Sequence, residues 1–376
     1  MNRNPSSFPS SFQWPFTFEQ IRDDFFDEID CLTSCADHYF NGEFESKFEK
    51  LRQIVVERSI SKVFFIGNTY SYFASQISRQ MFMETARKIP FSLYCVELSE
   101  FFDYMLPSES EGALYIFISK SGKSRFLKSC VDHLRLTKVD PDLIWLITNN
   151  ENTYLSPTIQ NIFQLFIPHE FVLGSKSFIN TIFVVYLTTR VIIGEKPQST
   201  TLQARFSRFI GDLTEYKQNW ISTTDQIVQF LSDFDNLYII ARDPASMAAA
   251  LLGALHAKSF TRLLTEGIYI SHFFHGPFQI LERKIHPQNI RIILLIGDHT
   301  TNESTIYRLV NLILQRTREI LVLSNNPGVS QILRKNERII LVDFNAEIQL
   351  LAPIFEFFIL QFVFLKIAEK KELLKK

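Results

Sequence analysis

The sequence predicts an α/β fold made of two doubly wound parallel sheets in tandem, each a flavodoxin-like sheet between two layers of helices. Short apolar runs rich in β-branched and aromatic residues alternate with longer helical patterns along the chain. Such alternation is typical of parallel sheets that are covered by helices on both faces. The alternation restarts near residue 235, and 376 residues are enough for two domains of this kind.

The first half contains five predicted strands with helical patterns between them. Residues 1–15 are rich in Pro, Ser and Asn and predict a loose tail, and a helical stretch over residues 16–56 follows it. A long apolar helix is predicted to begin within residues 172–178. We therefore predict a tail and helix over residues 1–46 and a first domain over residues 47–195. Apolar runs predict the strands at residues 63–66, 91–97, 115–118, 143–147 and 163–167.

The second half repeats this architecture with little sequence identity to the first. Residues 195–224 are polar with a helical pattern, and we predict a linker helix over residues 196–226 and a second domain over residues 227–376. A helix is predicted over residues 245–264. Where the first half has a Ser/Gly loop, the second has residues 297–301 (GDHTT). Apolar runs predict the strands at residues 235–241, 290–296, 320–323 and 339–342.

Composition and charge exclude several classes of partner. Hydrophobic residues make up 46% of the chain and charged residues 21%, as in an ordinary globular protein. The net charge of −1 gives no reason to expect nucleic acid as a partner. The apolar stretches at residues 179–194 and 352–368 contain Arg190 and Glu356, respectively, and fall short of the roughly 20 residues that span a membrane. Buried helices are therefore predicted, with no membrane partner.

Cysteine usage and the N-terminus predict a cytoplasmic protein. The N-terminus lacks the charged-then-apolar pattern of a signal peptide. Cys31 and Cys35 lie one helical turn apart, but no His/Cys cluster completes a zinc site. We predict free thiols, no metal and, because no Walker lysine motif is present, no nucleotide or other cofactor.

The strongest chemical signal lies at residues 119–124, whose sequence is SKSGKS. The run follows a predicted strand and precedes a predicted helix over residues 125–136. Free backbone N–H groups gather where a strand gives way to a helix, at the positive end of the helix dipole. Together with hydroxyls and a lysine, these groups favour a phosphate site. A turn capped by serine, with no ligand, also fits the same residues.

Residues 119–124 resemble the phosphate loop S-x-S-G-x-[ST] of the sugar isomerase (SIS) family. The hydroxyl positions of that loop match Ser119, Ser121 and Ser124, and Lys120 occupies the variable position. In the family this loop holds the phosphate of a phosphosugar. The resemblance therefore implies that these four residues bind a small phosphosugar ligand.

Shorter motifs in the family's order extend the resemblance over residues 50–365. Gly67, Asn68 and Thr69 fall on the G-[ST]-S turn that ends the family's first strand, with Asn68 a departure. Residues 172–178 (VLGSKSF) resemble the V-A-S-T-K-A-F segment of the glucosamine-6-phosphate synthases, with Ser175 in the place of the threonine. The resemblance implies that Asn68, Thr69 and Ser175 lie near the sugar phosphate.

Residues 273–278 (FFHGPF) are the most distinctive motif of the second half. They resemble the H-G-P motif of the synthases and, with both phenylalanines, the F-F-H-G-P-F of the fructosamine-6-phosphate deglycases. In those enzymes the histidine serves ring opening or proton transfer in a neighbouring subunit's site. The resemblance therefore implies a catalytic His275 and a homodimer. Imidazole suits proton transfer near neutral pH, but a turn histidine with no chemistry also fits.

The chain departs from the family where the catalytic groups are expected. The family's catalytic glutamate, sixteen residues before the H-G-P histidine, is Ser259 here. The synthase's lysine three residues before that glutamate is His256. A serine hydroxyl is barely ionised near pH 7, so His256 or Glu266 would have to act as the base.

Three interpretations follow from these matches and departures. The first is a deglycase-like or aminosugar-phosphate isomerase or deaminase with a changed base. The second is a phosphosugar-binding sensor or regulator without catalysis. The third is an unrelated α/β protein with chance motifs. Use of glutamine as an ammonia source is not expected, because no glutaminase domain precedes the first SIS-like half.

Overall fold

The computed structural model describes residues 14–85, 89–106, 112–150, 153, 155, 158–172, 174–231, 234–281, 289–297 and 302–375. Most of the predicted N-terminal tail lies outside the described residues, as do residues 298–301. The described chain contains two five-stranded sheets in which every strand pairing is parallel. The predicted α/β fold with two sheets in tandem is confirmed.

The elements of the first half alternate along the chain as the sequence predicts. They are α1 (Phe18–Phe40), α2 (Glu45–Glu57), β1 (Lys62–Gly67), α3 (Tyr70–Thr85), β2 (Ser92–Glu97), α4 (Leu98–Glu100), β3 (Ala113–Ile118), α5 (Arg125–Leu136), β4 (Ile144–Thr148), β5 (Asn161–Gln164) and α6 (Lys176–Ile192). A 31-residue helix, α7 (Thr200–Phe230), then leads to the second half.

The second half repeats the alternation. Its elements are β6 (Asn236–Ala241), α8 (Pro244–Thr261), β7 (Leu264–Tyr269), α9 (Ile270–His275), α10 (Pro277–Ile280), β8 (Ile290–Ile296), α11 (Glu303–Leu314), β9 (Ile320–Ser324), α12 (Pro327–Leu333), β10 (Ile339–Asp343) and α13 (Ala352–Lys370).

The two sheets have the same strand order. The first runs β2-β1-β3-β4-β5 and the second runs β7-β6-β8-β9-β10. The direction of winding reverses between β1 and β3 in the first sheet, and between β6 and β8 in the second. In doubly wound sheets such a switch point opens a crevice at the carboxyl ends of the strands, where ligands bind. Each half therefore has one topological position for a ligand site.

Burial explains which elements the sequence revealed. β3 and β4 are buried at every residue, so they read as continuous apolar runs. The sequence-based prediction misses β7, because this edge strand alternates exposed and buried residues and carries Glu266. The predicted helix over residues 16–56 is two helices, since the Asn-Gly at residues 41–42 favours a turn. β5 begins and ends earlier than the predicted strand at residues 163–167.

Helices of both halves pack together into one core. Gln80 of α3 accepts a hydrogen bond of 2.9 Å from the backbone N–H of Ala245, in the first turn of α8. The rings of Phe178 on α6 and Phe357 on α13 have their centroids 5.2 Å apart. Within the described part of the chain, one segment, Gln349–Lys370, is long and apolar enough to cross a membrane, and 89% of its most apolar window is buried inside the fold. That burial is typical of a core helix.

Candidate functional site

Asn68 and Thr69 form an exposed turn at the carboxyl end of β1. Thr69 has φ +47°, a left-handed conformation that is unfavourable for a β-branched residue. The backbone N–H of Thr69 donates a 3.0 Å hydrogen bond to Oε1 of Glu97, which ends the neighbouring strand β2. Glu97 therefore holds this turn in a conformation that its sequence alone would not favour.

Residues 119–124 form a tight loop between β3 and α5. The loop begins with a 2.9 Å hydrogen bond from Ser119 N–H to the carbonyl of Ile147, and Gly122 N–H donates to the carbonyl of Ser119 at 3.2 Å. Gly122 has φ +61°, and a Cβ at this position would lie 2.2 Å from Cγ2 of Thr153, so only glycine fits. The tight fit fixes the path of the loop across the carboxyl edge of the sheet.

The three serines of the loop have different environments. Ser121 is exposed, whereas Ser119 and Ser124 are half-buried. Ser124 is the N-cap of α5, and its hydroxyl accepts a 3.4 Å hydrogen bond from the N–H of Leu127. The ordinary capping interpretation thus holds for Ser124, and Ser119 and Ser121 remain the predicted phosphate-binding hydroxyls.

Residues at the end of β4 form hydrogen bonds to the loop at residues 119–124. The hydroxyl of Thr148 and the N–H of Asn149 donate to the carbonyl of Lys120 at 3.0 and 2.9 Å. The side-chain amide of Asn149 donates to the carbonyl of Ile167 at 2.7 Å and accepts from its N–H at 2.5 Å. These bonds connect the backbone of the loop at residues 119–124 to the segment that follows β5.

Ser175 lies beneath this edge, one residue before α6. It is fully buried, and its hydroxyl oxygen has no hydrogen-bond partner among the described residues. Helix α8 of the second half passes close by, since a Cβ on Gly174 would lie 3.3 Å from Cδ1 of Leu252. Helix α8 of the second half therefore packs against the segment that carries Ser175.

A buried carboxylate links the loop to this segment. Glu170 forms an ion pair with Lys120, and its side chain is 0% exposed against 24% for the lysine. Glu170 also accepts hydrogen bonds of 2.9 Å from both the N–H and the hydroxyl of Ser177. Tyr70 lies close to Ser177 and Glu170, and its pKa is raised by burial and by the nearby Glu170 charge. Lys120 is thus engaged with a carboxylate inside the fold.

A second buried ion pair joins α1 to α6. Lys176 donates to Asp24 at 2.7 Å, and although burial alone would lower the pKa of Lys176, the hydrogen bond and charge of Asp24 outweigh it and raise that pKa. Lys176 also lines a cavity of about 560 Å³ at the carboxyl ends of β4 and β5, together with Asp27, Cys31 and Asn149. Burial raises the pKa of Cys31 to about 11, so its thiol is protonated at neutral pH.

His256 and Ser259, two of the three predicted catalytic residues, lie near the end of α8. His256 is 3% exposed, with its ring 4.9 Å from that of Phe357 and 5.9 Å from that of Phe260. Ser259 is half-buried, and its carbonyl accepts a 3.2 Å hydrogen bond from the indole of Trp14. The structure therefore brings these two residues into the packed region beside α13 and the N-terminal segment.

His275 lies elsewhere, as the last residue of α9. It is exposed, as is Glu266 on the edge strand β7. Glu266 lies on the edge strand of the second sheet, and His275 lies on the helix that follows this strand. The loop at residues 119–124 follows a strand of the first sheet. Within one chain the structure pairs Lys120 with Glu170, which also bonds Ser177, two residues after Ser175. It leaves His275 on the surface of the other half.

Sequence reasoning missed Glu170 and Tyr70 as residues of this site. Glu170 is a single acidic residue just before a long apolar helix, and such a position is the one signal that could have marked it. No group of three or more His, Cys, Asp or Glu side chains within the described ranges is placed to hold a metal ion.

No protein-family model matches the sequence, and no curated protein matches it in sequence. The fold has clear relatives among solved structures. The C-terminal domain of glucosamine-fructose-6-phosphate aminotransferase from Francisella tularensis has a TM-score of 0.68 at 16% identity, covering 94% of this chain and 96% of that domain. Tagatose-6-phosphate ketose/aldose isomerase from Escherichia coli has a TM-score of 0.69 at 15% identity, covering 93% of both chains.

A third relative is glucosamine-6-phosphate deaminase from Thermotoga maritima, with a TM-score of 0.63 at 16% identity, covering 93% of this chain and 94% of that one. The likeness extends over both sheets and the helices between them. At these identities it demonstrates a shared fold, namely the tandem α/β arrangement of these phosphosugar enzymes.

Proposed function

We propose that this chain is a phosphosugar-binding protein of the SIS type, and that it holds the phosphate at the carboxyl edge of its first sheet. The observation that carries the proposal is the convergence of three segments at the β1/β3 switch point: the turn at Asn68 and Thr69, the loop at residues 119–124, and the segment with Ser175. They supply hydroxyls and backbone N–H groups at the starts of α3, α5 and α6, which is the chemistry that binds a phosphate.

The class of ligand follows from the relatives. By name, the three structures belong to enzymes of glucosamine 6-phosphate, fructose 6-phosphate or tagatose 6-phosphate. They share this fold, and the motifs of this chain follow one another in the order that the SIS-family resemblance implies. We infer a hexose 6-phosphate or its amino derivative as the ligand.

Binding is better supported than fast catalysis. Moving a proton between C1 and C2 of an open-chain sugar needs a base within hydrogen-bond reach, and Ser259 replaces the family's carboxylate. His256 is enclosed by the rings of Phe260 and Phe357, a setting that favours packing over proton transfer. We infer a sensor or regulator whose turnover lies about 10²–10⁴-fold below that of an enzyme with a placed carboxylate.

The second candidate is a deglycase-like isomerase or deaminase. The FFHGPF motif favours it, together with the exposure of His275, because an exposed histidine is free to enter the site of a second copy. We propose a homodimer on this ground. Light scattering at micromolar concentration is expected to give twice the chain mass, and a monomer would leave His275 without a site to serve.

Calorimetry tests the binding function directly. Glucosamine 6-phosphate and fructose 6-phosphate are titrated into wild type and into a Ser119→Ala/Ser121→Ala double variant. We expect binding by wild type and a loss of affinity in the double variant, because two phosphate-facing hydroxyls are removed. Ser222→Ala, on the exposed face of α7, is the matched control. Equal affinity in wild type and the double variant would refute the proposed site.

A further inference from the structure

We propose that Glu170 is the positioning residue of the phosphate site, and that Lys120 neutralises Glu170 and does not contact the phosphate. The inference rests on the proposed phosphosugar-binding function and assigns roles within that site. It reverses the role that a lysine in a phosphate loop suggests at first sight.

Both carboxylate oxygens of Glu170 form bonds inside the fold. Oε1 of Glu170 pairs with the ammonium of Lys120 and accepts the hydroxyl of Ser177 at 2.9 Å. Oε2 of Glu170 accepts the backbone N–H of Ser177 at 2.9 Å. Tyr70 interacts with Ser177 and with the charge of Glu170. One buried side chain thus interacts with three separate stretches of chain, through bonds or through its charge.

These three stretches are the ones that form the proposed site. Lys120 lies between Ser119 and Ser121 in the loop, Tyr70 directly follows the turn at Thr69, and Ser177 lies in the first turn of α6, just after the buried Ser175. The relative positions of all phosphate-binding groups therefore depend on the Glu170 carboxylate. Binding sites gain affinity when such supporting bonds hold the ligand-binding groups in place before the ligand arrives.

Charge decides the role of Lys120. A carboxylate that is 0% exposed needs an opposite charge, since an unpaired buried charge is strongly destabilising. If Lys120 turned towards a bound phosphate, Glu170 would stay buried, without its cation and close to a second anion. Phosphate recognition is thus left to hydroxyls and backbone N–H groups at the start of α5.

A double-mutant cycle separates the two roles of the lysine. Lys120→Met keeps the length of the side chain, and Glu170→Gln keeps an acceptor for Ser177. Binding of glucosamine 6-phosphate and of inorganic phosphate is measured by calorimetry, and thermal unfolding is measured for the same proteins. We expect Lys120→Met alone to weaken binding about tenfold or more, because it leaves an uncompensated carboxylate in the site. Lys120→Met/Glu170→Gln is expected to regain most of the affinity and of the unfolding temperature.

Lys128→Met, on the exposed face of α5, is the matched control for removal of a lysine near the loop. A double variant that binds as weakly as Lys120→Met would show that Lys120 contacts the phosphate and would overturn the proposal. If wild type binds neither phosphate compound, the binding function fails, yet the unfolding cycle still decides the pairing. Strictly additive losses in unfolding temperature would then overturn the role of Glu170.

Discussion

In both halves of the molecule, an asparagine that follows a strand makes the same pair of hydrogen bonds at equivalent places in the two sheets. We call this pair of bonds the brace. Asn149 follows β4 and bonds both the N–H and the carbonyl of Ile167, at 2.5 and 2.7 Å. Asn325 follows β9 and bonds the N–H and the carbonyl of Ala346 in the same way, at 2.7 and 3.2 Å. The architectural repeat therefore extends to single hydrogen bonds, although the halves have little sequence in common.

The halves differ in what occupies the crevice at the switch point. In the first half it carries the loop at residues 119–124. In the second half Gly297 directly follows β8, and a Cβ there would lie 2.6 Å from the hydroxyl of Ser246 and 3.3 Å from the carboxyl of Glu356. Glu356 is fully buried and accepts a 2.9 Å hydrogen bond from Ser246. One topology thus provides two positions for a site, and in the second half the described residues beside the switch point pack closely around Gly297.

The largest expected effect concerns the base that the second half would supply. Ser259→Glu restores a carboxylate at the position of the family glutamate. We expect turnover of a fructosamine 6-phosphate to rise by up to about 10²–10⁴-fold, as amine release measures. Ser259→Gln is the matched neutral control. Equal rates in both variants, or a wild type as fast as ordinary family enzymes, would show that the base lies elsewhere.

Two glycine substitutions test whether only the first crevice binds ligand. Gly122→Ala forces a side chain against Thr153 at φ +61° and should displace the loop, which weakens glucosamine 6-phosphate binding about tenfold or more. Gly297→Ala crowds Ser246 and Glu356 and should cost about 1–3 kcal/mol of stability without altering affinity. Calorimetry and urea unfolding measure the two effects. A loss of affinity in Gly297→Ala would contradict the assignment.

The shared brace can be removed from each half in turn. Asn149→Leu and Asn325→Leu each leave an N–H and a carbonyl unpaired, at about 1–3 kcal/mol for each group. Urea unfolding should therefore show similar losses of stability in both variants. Sugar-phosphate affinity should fall only in Asn149→Leu, because the end of β4 is hydrogen-bonded to the loop at residues 119–124. Unequal stability losses would mean that the two braces are not equivalent.

Each half also contains a fully buried acid whose pKa is raised by burial, Glu28 in the first and Glu356 in the second. Burial raises the pKa of Glu28, which accepts a 2.6 Å hydrogen bond from Gln361, well above 4.5. Burial and, next, the charge of Asp243 raise the pKa of Glu356. From pH 4.5 up to each raised pKa, the folded protein keeps a proton that the unfolded chain has released. Stability should therefore fall as pH rises, by up to about 1.4 kcal/mol per pH unit for each group.

Glu28→Gln and Glu356→Gln should each flatten this pH dependence, which urea unfolding at several pH values measures. Glu337→Gln, on an exposed turn, is the control and should leave the slope unchanged. A slope that is unaffected by both buried substitutions would mean that other groups control it.

The sequence by itself determined the elements whose signal is local. β3 and β4 are buried on both faces, so their residues form continuous apolar runs that mark strands without reference to the rest of the chain. The loop at residues 119–124 was equally visible, because hydroxyls and glycine between a strand and a helix lie within six residues. The sequence did not reveal β7, because this edge strand contains Glu266 and has neither an apolar run nor a turn signal.

Only the tertiary structure decided which polar groups meet. Lys120 and Glu170 are 50 residues apart in sequence, and Gln361 and Glu28 are 333 apart. A pattern along the chain predicts which face of an element is buried, but not which buried charge finds a partner. That outcome depends on how whole helices and strands pack, because another element must bring a counter-charge or a hydrogen-bond partner to each buried polar group.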